Sequence, residues 1–119
     1  MKIPKPTDAD RDWFRSLVPD APNVEVKPMF GNLGAFVNGN MFLGLFGPTV
    51  GVRLEDADDR AALLAEPGAG PFGPDERPMA NYTMLPEAWR TEPERCREWV
   101  ARGLAQIGAR PPKEKKPRR

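Results

Sequence analysis

Apolar positions along this chain change period between helical and alternating spacing, and the changes outline its elements. Ala9, Trp13 and Leu17 recur at helical spacing with Phe14 and Val18 beside them, giving one apolar helix face of about three turns. Thr7 reads as the N-cap of that helix, with Asp8 and Asp10 in the first turn where carboxylates favour the helix dipole. Pro19 and Pro22 stop it. Alternation takes over at Val24: Val24, Val26 and Pro28 interleave with Glu25, Lys27 and Met29, a strand with one buried face. Pro28 places that strand at a sheet edge or bends it. Gly31 and Gly34 predict a bulge or a close backbone approach. Ala35–Val37 and Met41–Phe46 flank Asn38-Gly39, the pair suited to a hairpin turn whose two central residues need positive φ. Gly47-Pro48-Thr49 turns the chain again into a strand over 50–54.

Asp56 caps a second helix with Asp58 and Asp59 in its first turn, and Ala57, Ala61 and Leu64 on its inner face. Residues 67–75 are an irregular loop anchored by Phe72, and 76–85 a long strand paired with a short one near Phe72. Pro86 ends that strand and opens a helical turn through Trp89. Thr91-Glu92-Pro93-Glu94 has the capping-box spacing, with proline where a missing N–H is harmless. Cys96, Trp99, Val100, Gly103, Leu104 and Ile107 then form a continuous stripe, with Gly108 as C-cap. The fold class that follows is α+β, with about four to five strands and three helices. Residues 1–6 are a flexible leader, 7–108 the domain, and 109–119 a disordered basic tail.

Composition narrows the chemistry. The chain of 119 residues suits one domain, and no window approaches the apolar length of a membrane span. It contains no histidine, which removes Ser-His-Asp and Cys-His catalysis and histidine-ligated metals. A single cysteine forms neither an internal disulfide nor a structural zinc site, and is consistent with the cytoplasm. Charge is unevenly spread. Residues 110–119 hold six basic groups and one acidic group, a net +5, against 12 basic and 16 acidic groups, a net −4, in residues 1–109.

Several motifs reduce to structure. Gly31-Asn32-Leu33-Gly34 lacks the Gly-Lys-Ser/Thr ending of a phosphate loop and leads into no helix. Glu55, Asp56, Asp58 and Asp59 lack the spacing of a calcium loop, and capping accounts for them. Cys96, on the apolar stripe, reads as an inert buried thiol. Two candidate surfaces remain. Arg53, Asn81 and Tyr82 put polar groups on predicted strands, suiting an interaction surface or a small-ligand site on the sheet face. Arg110, Lys113, Lys115, Lys116, Arg118 and Arg119 suit phosphate backbones, with a steep salt dependence.

The run Met29-Phe30-Gly31-Asn32-Leu33-Gly34-Ala35-Phe36-Val37-Asn38-Gly39-Asn40-Met41-Phe42 resembles the MFGGYGLYxDGxMF opening of the TfoX/Sxy N-terminal domain. Tyr82-Thr83-Met84-Leu85-Pro86-Glu87-Ala88 is similar to a later phrase of that domain, and a final tryptophan-bearing helix completes a likeness over roughly residues 10–107. The resemblance implies a two-layer, secretion-chaperone-like α+β fold, an antiparallel sheet of about four to five strands with three helices packed mainly on one face, and a non-enzymatic bacterial regulator. Named members act in natural competence with the cyclic-AMP receptor protein. The full regulators carry a second, helical domain that these 119 residues lack. Asn32-Leu33 stands where the family often has Gly-Tyr, so a role of that tyrosine does not carry over. The expectation is a cytoplasmic protein, monomer or homodimer, that works through protein partners, with transcription machinery among the candidates. An exposed edge at Val24–Pro28 would serve as contact surface. The alternatives are a nucleic-acid-associated module using the tail, or a small-ligand binder on the sheet face. No cofactor is expected.

Overall fold

A computed structural model describes residues 5–29, 31–74 and 76–111. Six strands form one antiparallel sheet: β1 (Val24–Met29), β2 (Asn32–Val37), β3 (Asn40–Phe46), β4 (Thr49–Arg53), β5 (Gly70–Pro71) and β6 (Tyr82–Met84). Their spatial order is β1-β2-β3-β4-β6-β5. Three helices accompany them, α1 (Asp8–Leu17), α2 (Ala57–Leu64) and α3 (Pro93–Gly108), with a 3₁₀ turn over Glu87–Thr91 before α3. The α+β architecture expected from the alternating and helical spacings is therefore present, and the two-residue β5, paired with β6, is the short strand expected near Phe72.

The Asn38-Gly39 turn forms as its sequence requires, with φ of 51° and 82°. Counting outward from it pairs Val37 with Asn40, but the register then steps between Ala35 and Phe36: Phe36 faces Met41 and Ala35 faces Leu43. Phe42 is the extra residue, a bulge in β3 rather than at the glycines of β2. Its consequence is immediate. Phe42 and Leu43, consecutive in sequence, are both fully buried.

The helices cover one face. In α3, Cys96, Trp99, Val100, Gly103 and Ile107 are buried, and a Cβ on Gly103 would come 2.6 Å from Val52 Cγ2, so the absent side chain sets how closely helix and sheet approach. Phe14 and Leu17 of α1 and Leu63 of α2 join the same core as Val50, Val52, Leu43 and Trp99.

Several local expectations are corrected. On α1 the buried positions are Asp10, Phe14 and Leu17, while Ala9 is exposed. The rotation follows from Asp10, which completes a capping box with Thr7 and pairs with Arg90 at 2.9 Å. On α2 the inner residue is Leu63, while Ala57, Ala61 and Leu64 face solvent. There Arg60 donates to the Leu54 and Glu55 carbonyls, and Asp59 accepts from Arg102 and Gln106 of α3, which turns that side inward. Thr91 does not cap α3. Its hydroxyl donates to the Ala88 carbonyl inside the 3₁₀ turn, and Glu92 takes the N-cap position without a side-chain bond. Gly108 lies within α3, and Ala109 is the C-cap. The long strand over 76–85 shortens to Tyr82–Met84, because Met79 N donates to the Phe72 carbonyl and closes a loop instead. β1 is an edge strand as expected, but Glu25, Val26, Lys27 and Pro28 are all exposed, so it buries no full face.

Candidate functional site: a methionine-lined pocket on the second sheet face

The face turned away from α3 is built on glycine. Gly34 pairs with Gly44 and Gly44 with Gly51, a row of three residues across β2, β3 and β4 with no side chains. Gly51 alternates with Val52, which touches α3, so the row belongs to the opposite face. Phe72 lies against it: a Cβ on Gly51 would overlap that ring, and one on Gly44 would come 3.2 Å from Phe72 Cε2. Toward the β2 end the cover is longer and softer. Met41 Cε lies 2.6 Å from where a Gly44 Cβ would stand, and Met29 Sδ 2.9 Å from that of Gly34.

Between these groups the surface opens into a cavity of about 400 Å³. The strands contribute Met29, Asn32, Leu33, Met41, Leu45 and Phe46 to its lining, and the loop closed by Met79 contributes Phe72, Pro74, Arg77 and Met79. Gly73 in that loop has a φ of 104°, and a Cβ there would come 3.0 Å from Met79 Cγ, so the sharp turn that brings Met79 back requires glycine. The volume is in the small-molecule range, about 300–1,000 Å³. Asn32 is buried, and its Oδ1 accepts from Gly47 N at 2.8 Å, which ties β2 to the β3–β4 turn. Among the described residues no three His, Cys, Asp or Glu side chains converge as metal ligands.

The residues singled out from sequence lie beside this pocket. Arg53 and Tyr82 are cross-strand partners on β4 and β6. Tyr82 stacks on Phe72 with centroids 5.9 Å apart and donates from its hydroxyl to the Met41 carbonyl at 3.1 Å, reaching over β4. Burial pushes its phenol up to about 12, against the favourable charge of Arg53. Arg53 pairs with Glu55 at 2.8 Å, and Glu55 also accepts from Arg110 at 3.1 Å. Asn81 acts through its backbone, with a φ of 68° and a carbonyl that accepts from Leu54 N. Tyr82 thus supports Phe72 and the other two hold the sheet end, and none of the three lines the cavity. Of the tail residues, Arg110 is placed against the domain by Glu55; Lys113, Lys115, Lys116, Arg118 and Arg119 lie outside the described residues.

Sequence reading missed Met41, Phe46, Arg77 and Met79 as a group, since they come from strands and a loop far apart in the chain. The glycine spacing was the available signal. Cys96 is buried and donates to the Trp89 carbonyl at 3.4 Å, and burial pushes its thiol up to about 11. Among the described residues no helix is long and apolar enough to cross a membrane.

A helix-backed antiparallel sheet with an apolar concavity on its other face defines an α+β domain. The family model for the TfoX N-terminal domain matches residues 16–107, and the chain belongs to that family. No curated protein matches it.

Proposed function

We propose that this protein is a non-enzymatic regulatory module that acts by binding, and that the pocket on the second sheet face is its receptor site for an apolar group. The observation that carries this reading is the cavity of about 400 Å³ lined by three methionines and two phenylalanines. Such side chains adapt to an apolar occupant without a polar penalty. Membership of a regulatory-type family supports a regulatory setting. The commitment of Tyr82 and Cys96 to internal hydrogen bonds supports binding over turnover. The test is titration of the protein with an environment-sensitive apolar dye. Saturable one-site binding is expected, and Met79→Glu should abolish it while the circular dichroism stays unchanged. Dye binding that is absent, or that Met79→Glu leaves intact, overturns the reading.

A second reading concerns β1, whose outer edge pairs with no strand among the described residues. Strand addition there, by a partner or a second copy, is supported by the exposure of Val26. Lys27 and Pro28 restrict it, because proline offers no N–H and lysine penalises a flat pairing. Light scattering on the wild type and a Val26→Lys variant tests it: a dimer lost in the variant supports edge pairing, and a monomer in both removes a second copy as the partner.

A further inference from the structure

We propose that the occupant of this pocket is a small amphipathic carboxylate, its apolar chain among the methionines and its head group held by Arg77. The inference rests on the receptor-site reading above and adds the chemistry of the ligand. Among the described residues that line the cavity, Arg77 is the one charged side chain and none is a carboxylate. Most other arginines of the domain are committed. Arg53 and Arg110 share Glu55, Arg90 holds Asp10, Arg95 holds Glu66, and Arg102 holds Asp59. Arg77 has no ion pair among the described residues, and it is exposed at the loop that forms one wall of the pocket.

The arrangement separates two demands. The lining between Met29, Met41 and Phe46 favours a chain with no polar atoms, since a buried polar group without a partner is costly. At the Arg77 end a planar carboxylate matches the guanidinium in charge and can accept two parallel N–H bonds. A cationic amphiphile would meet like charge there, and a neutral one would leave the guanidinium unused. The loop from Phe72 to Met79 carries both kinds of contact, and the Met79 N to Phe72 carbonyl bond at 2.8 Å holds its two ends together.

The experiment uses the full chain and decanoate, below its micellar concentration, with 1-decanol as the uncharged control. Both are read by displacement of the apolar dye and by amide chemical shifts. Decanoate should displace the dye at one site about tenfold more tightly than decanol, the worth of one charge-assisted contact. Arg77→Gln should erase that difference without changing the thermal midpoint, and Arg77→Lys should retain part of it. Equal displacement by decanoate and decanol in the wild type overturns the carboxylate assignment and leaves the receptor site standing. Failure of both to displace a dye that does bind also overturns it. Failure of the dye itself to bind removes the underlying site.

Discussion

The two faces of the sheet obey the same alternation and end in opposite states. On the helix side, Phe42, Leu43, Val50, Val52, Trp99 and Ile107 share one core, all six buried. On the other side Gly34, Gly44 and Gly51 present no side chains, and Phe72 with two methionines buries them at the side of an open cavity. The contrast teaches that a strand pattern specifies which residues share a face but not whether that face is filled. Filling depends on what the rest of the chain brings to it: an amphipathic helix of 16 residues on one side, and a loop with one buried aromatic on the other.

Variants of increasing delicacy probe this contrast. Trp99→Ala, which empties a large site on the filled face and removes the ring under Arg102, should cost about 3–5 kcal/mol in denaturant unfolding. Gly51→Ala should cost about 1–3 kcal/mol, because its Cβ would overlap the Phe72 ring and the ring must leave its place against the sheet. Gly44→Ala should cost less than Gly51→Ala, since the contact it meets is the far end of the flexible Met41 side chain. Met79→Ala, on the unfilled face, should change stability by less than about 1 kcal/mol, as for other substitutions away from a packed core. A cost for Met79→Ala equal to that of Trp99→Ala would show the second face to be a core like the first.

Two titrations sharpen the contrast without altering packing. Tyr82 is the one tyrosine in the chain, so phenolate absorbance reports it alone. Burial raises its pKa from 10.0 to about 12, so the folded state keeps a proton that the unfolded chain releases. The associated stability is therefore complete below 10 and is lost as pH rises from 10 toward 12. A phenolate that appears at the unperturbed value in the native protein would mean that Phe72 and the sheet do not enclose it. Asp10 gives the opposite sign on the helix side. The Thr7 backbone N–H, then Arg90, hold its carboxyl below the ordinary 3.8 against the effect of burial. Its contribution is present above 3.8 and is lost as pH falls through the lowered native value. Asp10→Asn should flatten the acid limb of the stability curve in denaturant titrations.

Much of the helix layer was legible in the chain. The stripe from Cys96 to Ile107 packs as its spacing requires, and Thr7 and Asp56 cap the helices they precede. Where local reading failed, a hydrogen bond or ion pair outside the expected pattern had outweighed the spacing. Arg90 turned α1 toward Asp10, Asp59 and Arg60 turned α2 toward Leu63, and the Thr91 hydroxyl was already engaged in the preceding turn. The pocket was the least legible part, because its methionines and Arg77 carry no spacing that distinguishes them from ordinary loop and strand residues.

Glycine spacing and turn chemistry by themselves determined half of the pocket face. Counting from the Gly47-Pro48 turn sets Gly44 against Gly51, since a two-residue turn leaves no other register. Counting from Asn38-Gly39 would set Gly34 against Leu43, and the bulge at Phe42 moves it onto Gly44. Only the tertiary structure decided that step, because burying both Phe42 and Leu43 under α3 outweighs one disrupted rung of the ladder. Core packing on one face thereby aligned the glycines, and opened the cavity, on the other.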